Sequence, residues 1–448
     1  MERKRNRFGH WLRNSITARM LVVGFLLIIL LIPLEFVKGL IRERGMRQTE
    51  VVHDINSKWG NEVILTGPIL KIPYKTYAEK QLFNEKTKSY ETKIETHINN
   101  LFLFPDKLNI DAKVTTKPLN RSIYESVVYT SDLAVNGNFP KLDFSDKDIE
   151  AKDILWDRAT LLVKTSNLKG IRTTLTLNFN EQLLSMTPVY DREYLNTIQS
   201  SQIDNLIEAA DKALDFSFTM KINGSENLQF IPIGKETTAS MSSNWHSPSF
   251  NGRFLPEDGS REISADGFSA SWSVLQINRQ FEQFFRNSMP DLTEFAFGTK
   301  LIIPVDEFQK SERTSKYGFM VIGLTLLVFL LIQLVSKIYI HPFQYVMIGL
   351  ALVMFYTLLI SFSEHSSFLK AYGIASLSVL GLITVYSKAI LKGFKFPMLI
   401  CASLASLYGF IYVIIQLENY ALLVGSIGLF VILGIIMFAS RKIDWANE

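Results

Sequence analysis

The chain has 448 residues, 48% of them apolar, and a formal charge of only +4. A charge so small over such a length provides no general basic surface, so no nucleic-acid partner is expected. Its one cysteine, Cys401, lies in an apolar run, so a disulfide within the chain is impossible and any soluble domain must be held by core burial.

The basic tail at 1–19 carries Arg3, Lys4, Arg5, Arg7, Arg13 and Arg19. An apolar run at 20–37 follows, about the length that crosses a hydrocarbon layer. No small-residue cleavage site follows it, so a retained anchor, not a signal peptide, is expected. Further runs at 318–336, 344–362, 371–387, 397–417 and 421–440 make a C-terminal five-helix bundle, and the tail at 441–448 follows. With the N-terminus in the cytoplasm, Lys337, Lys388, Lys392, Lys395, Arg441 and Lys442 all fall on that side, as short-loop cations should. Both termini are then cytoplasmic. Lys38, Arg42, Arg44 and Arg47 run against this bias.

Residues 38–317 read as a large β-rich, antiparallel, sandwich-like domain outside the cytoplasm. The segment 41–59 is a charged helical stalk. After it the period becomes two. Ile171, Thr173, Leu175, Leu177 and Phe179 share one face, and so do Leu214, Phe216, Phe218, Met220 and Ile222. Ile110, Ala112 and Val114 repeat the pattern, as do Phe268, Ala270, Trp272 and Val274. Asn223-Gly224 predicts a hairpin turn into 228–233. Ile203, Leu206, Ile207, Ala210 and Leu214 have helical spacing, and that helix could divide the domain. Gly67-Pro68 predicts a turn or bulge between apolar strand pieces.

Motifs for chemistry are missing: no phosphate loop, no His-Glu-x-x-His, no Gly-x-Ser-x-Gly. No enzymatic activity, cofactor or metal is expected. The candidate site residues are polar groups at the outer end of the bundle, Glu364, His365, Glu418 and Asn419. A second candidate is a collar at 311–317, with Glu312, Arg313 and Lys316, that would couple the domain to the bundle. Ala371/Ala375, Ala402/Ser406 and Ala405/Gly409 have the spacing that lets helices approach closely in lipid.

Several segments together resemble the CreD family of bacterial inner-membrane proteins. They are WGNEVILTGPILKIPY at 59–74, PVDEFQKSERTSKYGFMVIGLT at 304–325, IHPFQYVMIGLALVMFYTLLISFSEH at 340–365 and YGFIYVIIQLENYALLVGS at 408–426. The Pro-Ser-Phe-Asn-Gly core within 245–256 and Ile443-Asp444-Trp445 add to the likeness. Asn419 stands where the family pattern has Asp. The resemblance implies a Gram-negative inner membrane, a periplasmic domain and a role in envelope integrity, often tied to a carbon-source-responsive two-component system. It transfers no catalytic residue. The partners it leaves are the lipid bilayer and an envelope protein or polymer bound by the periplasmic domain. The alternative is a transporter or lipid-handling protein that uses the polar outer ends of the bundle.

Overall fold

The computed structural model describes residues 15–84, 89–121, 124–144, 149–191, 194–301, 303, 307–336, 338–391, 393–417 and 420–441. Glu418, Asn419, Lys337, Lys392, Lys442 and the tail before residue 15 lie outside that set. Two compact units emerge: Met1–Glu50 with Val305–Glu448, and Val51–Pro304.

The first unit is helical. Helix α1 (Ile16–Trp59) is continuous from the anchor run through the charged stalk. After the short helix α2 (Leu206–Ala209) of the other unit come α3 (Glu307–Lys316), α4 (Gly318–Ser336), α5 (Pro342–Ser363), α6 (Phe368–Ile390), α7 (Lys395–Gln416) and α8 (Ala421–Ser440). Among the described residues, α1 and α4 to α8 are the 6 helices long and apolar enough to span a membrane. Inside lipid no water can satisfy a backbone group, so each span bonds internally as a helix. The start of α5 shows how an end is closed. His341 Nδ1 accepts from the Phe343 N–H, the Gln344 side chain accepts from the His341 N–H, and Pro342 takes the first helical position.

Packing in this unit depends on notches. A Cβ on Gly349 would stand 2.1 Å from Leu30 Cδ1, and one on Gly318 2.8 Å from Leu34 Cδ1. Leu26, Leu30 and Leu34 are buried at helical spacing, so α1 seats one stripe against α4 and α5. Ala371 and Ala375 are fully buried as the spacing predicted. Ala402, Ala405, Ser406 and Gly409 are not: they are exposed, and nothing lies within 4 Å of a Cβ placed on Gly409. Small-residue spacing permits close approach, but a neighbouring helix must also be there.

The second unit is β. Its strands are β1 (Val63–Asn84), β2 (Ser89–Leu103), β3 (Lys107–Arg121), β4 (Tyr124–Phe139), β5 (Thr160–Thr165), β6 (Thr176–Phe179), β7 (Gln182–Val189) and β8 (Asn196–Ser200). They continue as β9 (Leu214–Ser225), β10 (Asn227–Phe230), β11 (Glu236–Ser243), β12 (Pro248–Gly252), β13 (Glu262–Ser264), β14 (Gly267–Leu275), β15 (Phe284–Arg286) and β16 (Phe297–Leu301). One layer runs β12-β16-β10-β1-β5-β8-β7 and the other β6-β9-β4-β3-β11-β14-β13. Strand β7 joins them: its first half pairs with β6 and its second half with β8. Pairing is antiparallel except for β1 with β10 and β3 with β11.

Side chains of both layers share a single core. Trp272 of β14 meets Phe297 of β16 at 5.7 Å between ring centroids. One core means one domain, so nothing divides it near residue 203. The helix expected there shrinks to the single turn of α2, with Ile207 exposed and Leu214 already in β9. The burial of Ile203, Leu206, Ala210 and Leu214 gave a helical period by coincidence of a turn meeting a strand.

Two further expectations shift. The strand at 171–180 is regular only over β6; before it Ile171 makes an isolated bridge to Ile222. Asn223-Gly224 makes no hairpin. Both residues lie inside β9 opposite Thr130 and Tyr129, and the chain leaves that layer at Glu226, where φ is 57°. Gly224 is required for another reason: a Cβ there would fall 2.3 Å from the Tyr129 hydroxyl oxygen. That buried hydroxyl donates to the Asn227 carbonyl at 2.7 Å, and burial holds the phenol well above its usual pKa. Gly67-Pro68 is a bulge as expected: the β1–β5 register slips between Thr66 and Ile69.

Gly224→Ala is therefore expected to cost about 1–3 kcal/mol by overpacking, read as a lower melting temperature of the full-length protein. Gly349→Val should destabilise the helical unit, and Leu30→Ala should partly restore it in the double variant. Additive losses would sink the proposed notch.

Candidate functional site

The described members of the predicted polar set, Glu364 and His365, fall at a helix end. Glu364 caps the C-terminus of α5, and its carboxylate meets Arg44 Nη1 of α1 at 3.3 Å. Arg44 is one of the cations that opposed the charge bias. Lys38 and Arg42 have a partner too, both on Glu35, at 3.3 and 3.4 Å. His365 is exposed beside Glu364. The collar residues form α3, an amphipathic helix that packs on α5, α6 and α7. Ser311, Thr314 and Ser315 make its buried face. Glu312 and Lys316 pair across one turn at 3.4 Å, and Lys310 lies 5.9 Å from the Phe368 ring centroid.

Deeper in the bundle the Tyr345 hydroxyl donates to Gln333 Oε1 at 2.6 Å, a buried bond between α5 and α4. Tyr356 and Tyr372 pack edge to face on Phe355, the Phe355–Tyr408 and Phe368–Tyr372 pairs are tilted, and the Tyr372 hydroxyl donates to the Tyr408 carbonyl at 2.7 Å. Helices α4, α7 and α8 leave between them an apolar cleft of about 570 Å³ that includes Thr325, Ser403 and Ser406. No described residue of α8 is buried, and its surface is apolar all round, as suits lipid on most sides.

The β unit holds a feature that charge and motif reading missed. Strands β1 and β2 pair continuously from Leu70–Leu103 to Asn84–Ser89. Among the described residues, the last outside contacts to their backbone are Tyr74 with Ile154 and Asn100 with Asn287. Beyond them the two strands run on alone for roughly 30 Å. Register puts Tyr77, Tyr90, Ile94 and Ile98 on one face. They are 55%, 70%, 64% and 55% exposed. The other face carries Lys80, Lys93, Glu95 and His97, with a Lys80–Glu95 pair at 3.1 Å. At the base the Tyr77 hydroxyl donates to Asp153 Oδ1 at 2.8 Å, and that bond raises the phenol pKa. A two-stranded ribbon is marginal in water alone, and this one shows its apolar face outward. The alternation Tyr90, Thr92, Ile94, Thr96, Ile98 is legible in the sequence; its exposure is not.

Among the described residues no group of three or more His, Cys, Asp or Glu could hold a metal. The chain matches the family described as inner membrane protein CreD over residues 15–446. It is 30% identical over 424 residues to inner membrane protein CreD of Escherichia coli K12, covering 93% of this chain and 91% of that protein.

Because the Arg44–Glu364 pair is partly exposed, a double-mutant cycle with Arg44→Gln and Glu364→Gln should give a coupling of about 0.5–1 kcal/mol. The coupling should shrink in high salt. A coupling of zero at low salt would remove the pair from the forces that seat α1.

Proposed function

The chain belongs to the CreD family of inner membrane proteins, and we propose that it supports envelope integrity without catalysis, by holding a periplasmic β domain that binds an envelope protein. The exposed apolar face of the β1–β2 ribbon carries this reading. Tyr77, Tyr90, Ile94 and Ile98 stand on one face of an extended two-stranded element, an arrangement that accepts an apolar segment of another chain. Aliphatic anchors at 94 and 98 suit an apolar segment of a protein, with Thr92 and Thr96 between them on the same face as polar contacts. Among the described residues, the two edges of the ribbon beyond Tyr74 and Asn100 pair with no further strand, so each can accept an added one.

The periplasmic placement rests on the Lys and Arg of the short loops. The pairing of Lys38 and Arg42 with Glu35 and of Arg44 with Glu364 supports it, since those cations are offset locally. Both termini are then cytoplasmic.

A photo-crosslinking residue at position 94 in native membranes should yield a discrete adduct with an envelope protein. Ile94→Lys with Ile98→Lys should abolish that adduct and weaken the envelope while leaving the protein level unchanged. A wild-type envelope in the double variant would refute the reading, and an adduct only with glycan would replace the protein partner by a polymer.

A second reading, lipid handling by the bundle, is favoured by the apolar cleft between α4, α7 and α8. Ser406→Trp would fill the cleft. On this reading it lowers co-purifying lipid in native mass spectrometry and impairs the envelope; on the first it leaves the envelope intact.

A further inference from the structure

The outer edge of β2 carries a pattern that its apolar face does not explain. At the base of the ribbon β15 occupies that edge: the Phe104 N–H donates to the Gln283 carbonyl at 2.9 Å, and the Asn287 N–H donates to the Asn100 carbonyl at 2.8 Å. The chain then turns away at Asn287, where φ is 66°. Among the described residues no strand takes its place, so 89–99 pairs on the β1 side alone. In an antiparallel ladder the backbone groups of successive residues point to opposite sides. Asn100 and Phe104 point outward, so the even-numbered residues that precede them do too. The N–H and C=O groups of residues 90, 92, 94, 96 and 98 therefore line the open edge.

Such an edge accepts a strand, and the residues along it select one. The midpoint of 89–99 is Ile94. A copy of β2 laid antiparallel over the whole stretch sets Ile94 opposite Ile94, with a two-fold axis between them. In that register Lys93 meets Glu95 of the second copy, and Glu95 meets its Lys93. Thr92 meets Thr96, and Tyr90 meets Ile98. Residues directly opposite lie on the same face, so each charge meets the other sign and each apolar group an apolar group.

Neighbouring registers lose this match. An axis at 93 sets Lys93 on Lys93, and one at 95 sets Glu95 on Glu95. The open stretch of β1, 75–84, has its midpoint between Glu79 and Lys80, and an axis at either sets a like pair together. Self-complementarity belongs to the β2 edge. Within one ribbon Lys93 stands opposite Lys80, a like charge, while Glu95 pairs with Lys80 at 3.1 Å. The second copy would give Lys93 a carboxylate directly opposite.

We propose that the outer edge of β2 is a self-association surface: two copies of this chain pair β2 with β2, antiparallel and centred on Ile94, into one four-stranded sheet. The outward groups of the two strands exchange about ten backbone hydrogen bonds. The axis is perpendicular to the sheet, so Tyr90, Ile94 and Ile98 of both copies share a face, and the apolar surface open to an envelope protein doubles. An edge contact is small, and confinement of both copies to one membrane raises their effective concentration. The pairing uses the edge and leaves the apolar face open, so it does not rest on the envelope-protein reading.

Cysteine crosslinking of the full-length chain in native membranes tests the register, on a Cys401→Ala background that removes the one native thiol. Opposed Cα atoms are about 5.5 Å apart, within disulfide reach, whereas residue 92 of one copy lies about 14 Å from residue 92 of the other. With copper-phenanthroline as oxidant, Ile94→Cys should give a disulfide-linked species of twice the chain mass. Thr92→Cys and Thr96→Cys should each give about tenfold less alone, and should link to one another when co-expressed. This mixed pair keeps the test open if Ile94→Cys lowers the protein level. Within the Ile94→Cys chain, Lys93→Glu should lower the yield about threefold or more, and adding Glu95→Lys should restore it. Thr96→Pro removes an outward N–H, leaves the β1 ladder its bonds, and should lower the yield as well. No crosslink from Ile94→Cys or the mixed pair, equal crosslinking by Thr92→Cys alone, or charge reversal without effect would overturn the proposal. Any of these would leave the envelope-protein adduct unexplained by self-association and the face reading intact.

Discussion

The backbone ladder of β1 is the constraint on which the β unit depends. Its first residues pair in parallel with β10 and antiparallel with β5, its middle pairs with β5 and β2, and its last part pairs with β2 alone. Without disulfides, the domain relies on this strand to bind its layer together. The bulge after Thr66 allows the strand to change partners without losing its buried faces. The same strand then supplies Tyr77 to the ribbon. Core and ribbon are successive uses of one strand.

The helical unit obeys a different solvent. Lipid offers no hydrophobic force between helices, so close fit and internal polar bonds decide which helices touch. Leu30 in the notch at Gly349 and the Gln333–Tyr345 bond are instances of each. Helix α8 makes its close fit to α7, where a Cβ on Gly428 would stand 2.0 Å from Phe410 Cζ, yet none of its described residues is buried, and a cleft opens beside it.

Some features could be read from residue order because they depend on local physics. Alternation in β3, β9 and β14 placed the buried residues correctly, since a strand shows opposite faces at every step. The charged stalk was legible as a continuation of the anchor. Asn223-Gly224 misled because a glycine that makes room for a tyrosine ring looks the same in sequence as one that makes a turn. The helix expected near 203 is only one turn long because the residues of helical spacing span that turn and the start of a strand. Among the site residues, Glu364 was visible as a carboxylate at a span end, but its partner Arg44 lies 320 positions away on another helix.

The sequence by itself determined the apolar spans, the β-rich insertion between them and the family, because hydropathy, period and motif are properties of neighbouring residues. Only the tertiary structure decided that the insertion has one core and that the β1–β2 ribbon stands exposed. Those depend on which strands lie side by side, and no local pattern specifies a pairing between segments more than thirty residues apart.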